Sequence, residues 1–289
     1  MPVRPRIVES LNATFGTNIF SYLVPDPAFV YAVAIAVCAV LFVRRSSEEG
    51  LSRYHALGGV IWGTLGGMIG ARLFFLLTHY DRVLFNPSML FDLNGATVSW
   101  GAYIGGTAAL LIYFRLKRQP ALRYLDVIAS CAGIGIFFGR ISCFLNGDDY
   151  GTLTSVAWGV SFPHGSFPFA AQVKEGLIDP LASLSLPIHP VQLYGSLKGL
   201  ALFIVFTKLW RRYELPAGTL FCLYWMAFSL LRFSIEFFRG DVSRGFIGVL
   251  STGQLMSLII FICSAAVAGY AFATKRNRFS VRQPAVVQQ

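Results

Sequence analysis

Apolar runs at about residues 27–43, 55–78, 98–114, 123–145, 190–210, 216–238 and 249–273 limit this chain to very few architectures. Several approach or exceed the ~20 residues needed to cross a bilayer core. Only 13% of the residues are charged and 55% are apolar, against about 25% charged in an ordinary soluble domain. The sequence reads as an all-α integral membrane protein. It is expected to have seven transmembrane helices and a small external head segment between spans four and five.

The basic residues sort by side. Segments after spans one, three, five and seven, together with Arg123, hold fourteen of them, among them Arg44, Arg45, Arg115, Arg118, Arg211 and Arg212. The opposite segments hold six: Arg4, Arg6, Arg82, Lys174, Arg239 and Arg244. The positive-inside bias then places the N-terminus outside and the C-terminus in the cytoplasm. Residues 1–26 form an external arm without a cleavable-signal pattern. The spans and head occupy 27–273, with the head at 146–189, and 274–289 is a cytoplasmic basic tail. A net charge of +10 raises nucleic acid as a partner. However, the cations lie in short loops rather than in a stripe with exposed aromatics, so none is expected. Cys38, Cys131, Cys143, Cys222 and Cys263 all fall in apolar stretches without metal-ligand spacing. They read as small apolar side chains, with no disulfide, metal or cofactor.

Four cations lie inside spans: Arg72, Arg140, Lys198 and Arg232. Each costs roughly 2.5–3.5 kcal/mol at the membrane centre unless paired, wetted or snorkelled, so each is a functional candidate. Helix rise puts Arg140 and Arg232 about 25 Å from the cytoplasmic end, with Arg72 at a similar level and Lys198 roughly 12 Å below the outer surface. Arg232, Glu236 and Arg239 follow i, i+4, i+7 spacing on one helix face. An acid between two bases neutralises one and orients the other, leaving positive charge for an anion. Arginine suits phosphate through its bidentate fork, and a phospholipid head group fits the description. Plainer readings also stand. Lys198 and Arg72 can snorkel, His189-Pro190 can simply start a helix, and Gly59, Gly63, Gly66 and Gly70 can be helix-packing surface.

The stretch GRISCFLNGDDYG (139–151), with AWGVSFP (157–163), HPVQLYGS (189–196) and LRFSIEFFRGD (231–241), resembles the signatures of the bacterial prolipoprotein diacylglyceryl transferases, in the family's order. GARLFFLL (70–77) and WGAYIGG (100–106) match more weakly. The resemblance implies an enzyme of the bacterial inner membrane. It moves the diacylglyceryl group of phosphatidylglycerol onto the lipobox cysteine thiol of a secreted prolipoprotein, forming a thioether and releasing glycerol phosphate. It implies Arg140, Arg232 and Glu236 as catalytic residues. Tyr31, Arg72, Trp100, Tyr103, Cys143, Asn146, Gly151, His189, Gln192 and Arg239 would bind substrate or shape the site, with Cys143 as wall rather than nucleophile.

The chain departs from that pattern in places. Trp100 stands where some members carry a histidine proposed as the thiol's base, and an indole has no basic nitrogen. Ser142 and Cys143 replace Gly and, in many members, Asn, and Gly195 replaces a frequent glutamate. Deprotonation of the thiol is expected to use Glu236 or Tyr103 as base, or to follow from an arginine lowering the thiol's own pKa. Two other functions stay open here: a member that binds anionic lipid or lipoprotein without transfer, and a channel or transporter.

Overall fold

A computed structural model of the chain describes residues 26–80, 88, 98–241, 245–274 and 280–281. Of the arm at 1–26 only Asp26 is among them. Arg82, Arg244 and the tail cations Lys275, Arg276, Arg278 and Arg282 lie outside the described residues.

The chain is mostly helical. Among the described residues the helices are, in order, α1 (Pro27–Glu48), α2 (Arg53–Thr78), α3 (Ser99–Leu116), α4 (Ala121–Asn146), the short α5 (Phe167–Lys174), α6 (Val191–Arg212), α7 (Thr219–Glu236) and α8 (Thr252–Thr274). Six of these, α1, α2, α4, α6, α7 and α8, are long and apolar enough to cross a membrane. Helix α3 has 18 residues, as many as α7, but it falls outside that six because glycines and polar aromatics interrupt its first half. Four two-residue strands accompany the helices: β1 (Tyr213–Glu214) pairs with β4 (Ser280–Val281), and β2 (Phe246–Ile247) with β3 (Leu250–Ser251). The β2–β3 hairpin turns at Gly248, whose φ of +62° suits the first central position of a tight hairpin turn.

The chain divides into two compact units, residues 1–38 with 129–289 and residues 39–128. In the second, α2 and α3 pack through glycines. A Cβ on Gly70 would lie 2.8 Å from the Gly105 Cα, and one on Gly66 would lie 2.9 Å from the Gly105 carbonyl oxygen. The small residues expected to form a packing face do form one, since only their absent side chains let the two backbones approach. Phe114, wholly buried, stacks on Tyr124 at 4.0 Å, and the Tyr124 hydroxyl donates to the Ser52 carbonyl at 3.1 Å. Arg72 lies 5.4 Å from the centroid of the Phe75 ring. Buried Trp100 meets the Tyr103 ring edge-on at 5.9 Å.

In the first unit, α4 and α6 cross closely: a Cβ on Gly199 would lie 2.6 Å from the Phe137 nitrogen. The Ser196 hydroxyl donates to the Phe137 carbonyl at 3.0 Å across the same crossing. Between these helices the chain folds into a small insertion. Isolated bridges join Leu153 and Val160 to Ile188, and Pro163 to Leu184. Phe162 and Ile188 are buried there against Phe144, Tyr150 and Val160, each contributing about 1.5–3 kcal/mol by leaving water. The buried side chain of Gln172 on α5 accepts from the Leu186 N–H at 2.8 Å and donates to its carbonyl at 3.3 Å.

Candidate active site

The loop after α4 determines the site. At Gly151 it forms a bridge with Arg239, just past α7. Its Thr152 N–H donates to the Phe238 carbonyl at 2.9 Å, and the Gly240 N–H donates to the Tyr150 carbonyl at 3.0 Å. On the other side the His189 N–H donates to the Thr152 carbonyl at 2.9 Å. The loop is thereby stitched to the end of α7 and the start of α6. Gly147 and Asp149 have φ of +79° and +51°. Asp149 is one of the two described non-glycine residues with positive φ, a region only Asn, Asp and His occupy with any frequency. That turn swings its carboxylate back over α4.

There Asp149 bridges two guanidinium groups, Arg140 at 2.5 Å and Arg239 at 2.6 Å. Arg239 also grips Asp241 with two parallel bonds, Nε to Oδ1 at 2.9 Å and Nη2 to Oδ2 at 2.7 Å, the fork geometry in which arginine holds carboxylates most firmly. Burial alone would raise the Asp149 carboxyl, but Arg140 and Arg239 together hold it well below the usual carboxylate range. Burial would likewise favour neutral Arg239, yet Asp149 and Asp241 hold it charged beyond its ordinary range.

Glu236 is almost wholly buried. It pairs with Arg232 one turn earlier and lies 3.9 Å from the Arg239 Nε. It also accepts from the Ser251 hydroxyl at 3.0 Å. Ser251 caps α8 in a capping box. Its Oγ accepts from the Gln254 N–H at 3.1 Å, while the Gln254 side chain accepts from the Ser251 N–H at 3.0 Å, a reciprocal pairing that satisfies two otherwise orphaned donors. The Glu236 carboxylate thus lies against the N-terminus of α8, where the helix dipole favours negative charge.

Arg140, Asp149, Arg232 and Arg239 line a small cleft, with Glu236 and Asp241 paired to the arginines behind it. Helix α4 supplies Arg140, α7 and the turn after it supply Arg232 and Arg239, and α6 supplies Val191, Gly195 and Lys198 at i, i+4, i+7. Gly195 is required by its neighbour: a Cβ there would press on the Arg140 side chain, 3.0 Å from Cδ and 3.1 Å from Cγ. Lys198 was expected to snorkel; instead it is buried, with its Nζ 3.9 Å from the centroid of the Phe228 ring.

The remaining site residues fall around this centre. Cys143 is one turn past Arg140, its Sγ within 4.8 Å of carboxylate oxygens of Asp148 and Asp149. Asn146 donates to the Asp148 carboxylate at 2.8 Å, and fully buried Gln192 donates to the Asp148 carbonyl at 2.6 Å. The Nδ1 of His189 lies 3.0 Å from the Tyr194 hydroxyl, which accepts from the Trp158 indole at 2.8 Å. Tyr31 is 55% exposed on α1 and does not line the cleft. Arg72, Trp100 and Tyr103 belong to the other unit.

Reading the sequence missed Asp149, Asp241 and Ser251 as parts of the site, and it named Lys198 as a candidate without its direction. It also expected surplus charge on the arginines. The structure instead gives each of the three guanidinium groups a carboxylate partner.

Fold and site together define a multi-span membrane protein with a small cleft lined by three arginines and a buried lysine. The chain belongs to the prolipoprotein diacylglyceryl transferase family, whose profile matches residues 21–270. It is similar to the phosphatidylglycerol–prolipoprotein diacylglyceryl transferase of Clostridium tetani, 31% identical over 250 residues that cover 86% of this chain and 91% of the relative. It is also similar to the Campylobacter lari protein of that name, 28% identical over 91% of this chain and 93% of the relative. The Geobacter sulfurreducens protein of that name is 34% identical over 71% and 72%.

Proposed function

We propose that this chain transfers the diacylglyceryl group of phosphatidylglycerol to the lipobox cysteine thiol of a prolipoprotein, in the bacterial inner membrane. A sulfur–carbon bond forms at the glycerol carbon that bears the phosphate, and the carbon–oxygen bond to that phosphate breaks. Glycerol phosphate leaves with the bonding pair, and the thiol's proton passes to the departing phosphate monoester or to water. A phosphodiester carries one negative charge, and the departing monoester carries more, approaching two near neutral pH. Cations already fixed around the phosphate therefore stabilise the transition state more than the bound lipid, which is the condition for acceleration.

The observation that carries this reading is the convergence of Arg140, Lys198, Arg232 and Arg239 on one cleft at the ends of apolar helices. In this assignment Arg140 meets the phosphate, and Arg232, oriented by Glu236, holds the head group or leaving phosphate. Seven spans are part of the same proposal, with α3 as the third, as are an external head built from 146–189, an external arm at 1–26 and a cytoplasmic tail from 274. Tyr31, Arg72, Trp100 and Tyr103 are proposed to bind substrate. Cys143, Asn146, Gly151, His189 and Gln192 shape the cleft wall.

The test is lipid transfer from phosphatidylglycerol to a lipobox peptide by the purified chain and by Arg140→Ala. Losing a charge-assisted bond to the phosphate is worth about 1.5–3 kcal/mol or more, so kcat/KM should drop at least about tenfold to a hundredfold. Undiminished transfer by the variant would remove Arg140 from the mechanism.

A further inference from the structure

Lys198 has no place in the ion-pair pattern around it. Arg140 is held by Asp149, Arg232 by Glu236, and Arg239 by Asp149 and Asp241. Among the described residues no carboxylate lies within ion-pair distance of the Lys198 ammonium. Its neighbour is instead the face of Phe228, 3.9 Å from Nζ to the ring centroid. A cation over an aromatic face gains about 0.5–2 kcal/mol, well short of the several kcal/mol that burying a charge costs. Nor is the side chain reaching for water, because the residue is only 6% exposed.

Its direction is set by the helix. Val191, Gly195 and Lys198 share one face of α6, and that face forms a wall of the cleft containing Arg140 and Arg232. Four cations line or border this cleft against the carboxylates of Asp149, Glu236 and Asp241. Asp148 does not balance the fourth: it makes no ion pair with any of the four, and its carboxylate instead accepts from the Asn146 side chain. Lys198 is the one of these four basic groups without a carboxylate partner, and an anion entering the cleft is what would hold it charged.

Resting on the transferase reading above, we infer that Lys198 is the residue whose charge is left for the phosphate ester of the lipid substrate, and then for the released glycerol phosphate. The paired arginines shape the cleft and give it hydrogen-bond donors; the lysine supplies the uncompensated charge. A phosphodiester with one negative charge neutralises that surplus. The extra charge that develops as the carbon–oxygen bond breaks is drawn toward the same ammonium.

Lys198→Met keeps the side chain's unbranched shape to within one atom and removes its charge, whereas Lys198→Arg keeps the charge. Phosphatidylglycerol is titrated in mixed micelles with a lipobox peptide, and free glycerol phosphate is used as an inhibitor carrying the same phosphate without acyl chains. The expected result for Lys198→Met is a KM for the lipid and an inhibition constant for glycerol phosphate each raised about tenfold or more, with Lys198→Arg within about threefold of the parent. An unchanged KM in Lys198→Met overturns the inference. So does a Lys198→Arg variant that loses kcat at unchanged KM, because that would make Lys198 a proton carrier. Thermal unfolding of each variant shows that its fold is retained. If the parent chain performs no transfer, the transferase reading fails by itself. Direct binding of glycerol phosphate to the parent and to Lys198→Met then decides the role of the lysine, and equal affinity rejects it.

Discussion

Asp149 is one residue with two consequences. It neutralises Arg140 and Arg239 and fixes the distance between them, and it does so from a backbone conformation with positive φ. Its folded-state pKa is depressed. The stability it contributes is therefore fully present above the unfolded carboxyl value of about 3.9 and is lost as pH falls through the folded value. The melting temperature of Asp149→Asn should lie below that of the parent by a constant amount above about pH 5. That difference should shrink only as pH drops below about 4. A difference that changes between pH 6 and 8 would mean that Asp149 is not held by the two arginines. Arg140, Arg232 and Glu236 were legible from sequence because a charge inside an apolar run is conspicuous. Asp149 was not, although it lies in the same quoted stretch, because its role depends on a turn at Gly147–Asp149 that no spacing rule encodes. Lys198 was visible as an intramembrane charge, but its direction was not. That direction follows from α6 presenting Gly195 to the Arg140 stem, which brings the residue three positions later into the cleft.

At the level of elements, the apolar runs located the helices to within a few residues, since they stop where polar and turn residues begin. The start of α8 carries a signal that hydropathy does not register: Ser251 and Gln254 form a capping box, and the same serine donates to Glu236. The short pairings of the insertion were beyond sequence because they are isolated bridges rather than regular strands. One of these junctions bears on the site directly. Gly151 joins the loop after α4 to Arg239 on one side, and on the other side a Cβ at this position would collide with the His189 carbonyl. That obstacle is backbone and cannot rotate away. Gly151→Ala should therefore cost about 1–3 kcal/mol, as overpacking typically does. It should also weaken transfer by displacing Asp149 and Arg239 together, which thermal unfolding and the transfer assay read separately. An alanine variant with parental stability would show that the loop accommodates a side chain and does not fix the site.

For the whole molecule, the question is which side of the membrane the cleft faces. Arg140 lies near the C-terminal end of α4, Arg232 near the C-terminal end of α7, and Lys198 in the first two turns of α6. Glu236 abuts the N-terminus of α8. Four apolar helices thus bring the cleft to the ends joined by the 147–190 insertion and by the α7–α8 hairpin. In the proposed orientation, with fourteen basic residues assigned to the other side and six to this one, the positive-inside bias would put those ends outside. A prolipoprotein presented for lipidation after export would meet them there. Alkaline phosphatase inserted at the exposed Gly176, where the φ of +71° marks a turn with open space around it, should be active. The same reporter fused after Gln289 should be inactive, while green fluorescent protein fused there should fluoresce. The reverse pattern would turn the cleft toward the cytoplasm, where an exported thiol has no access, and the proposed reaction could not take place at these residues.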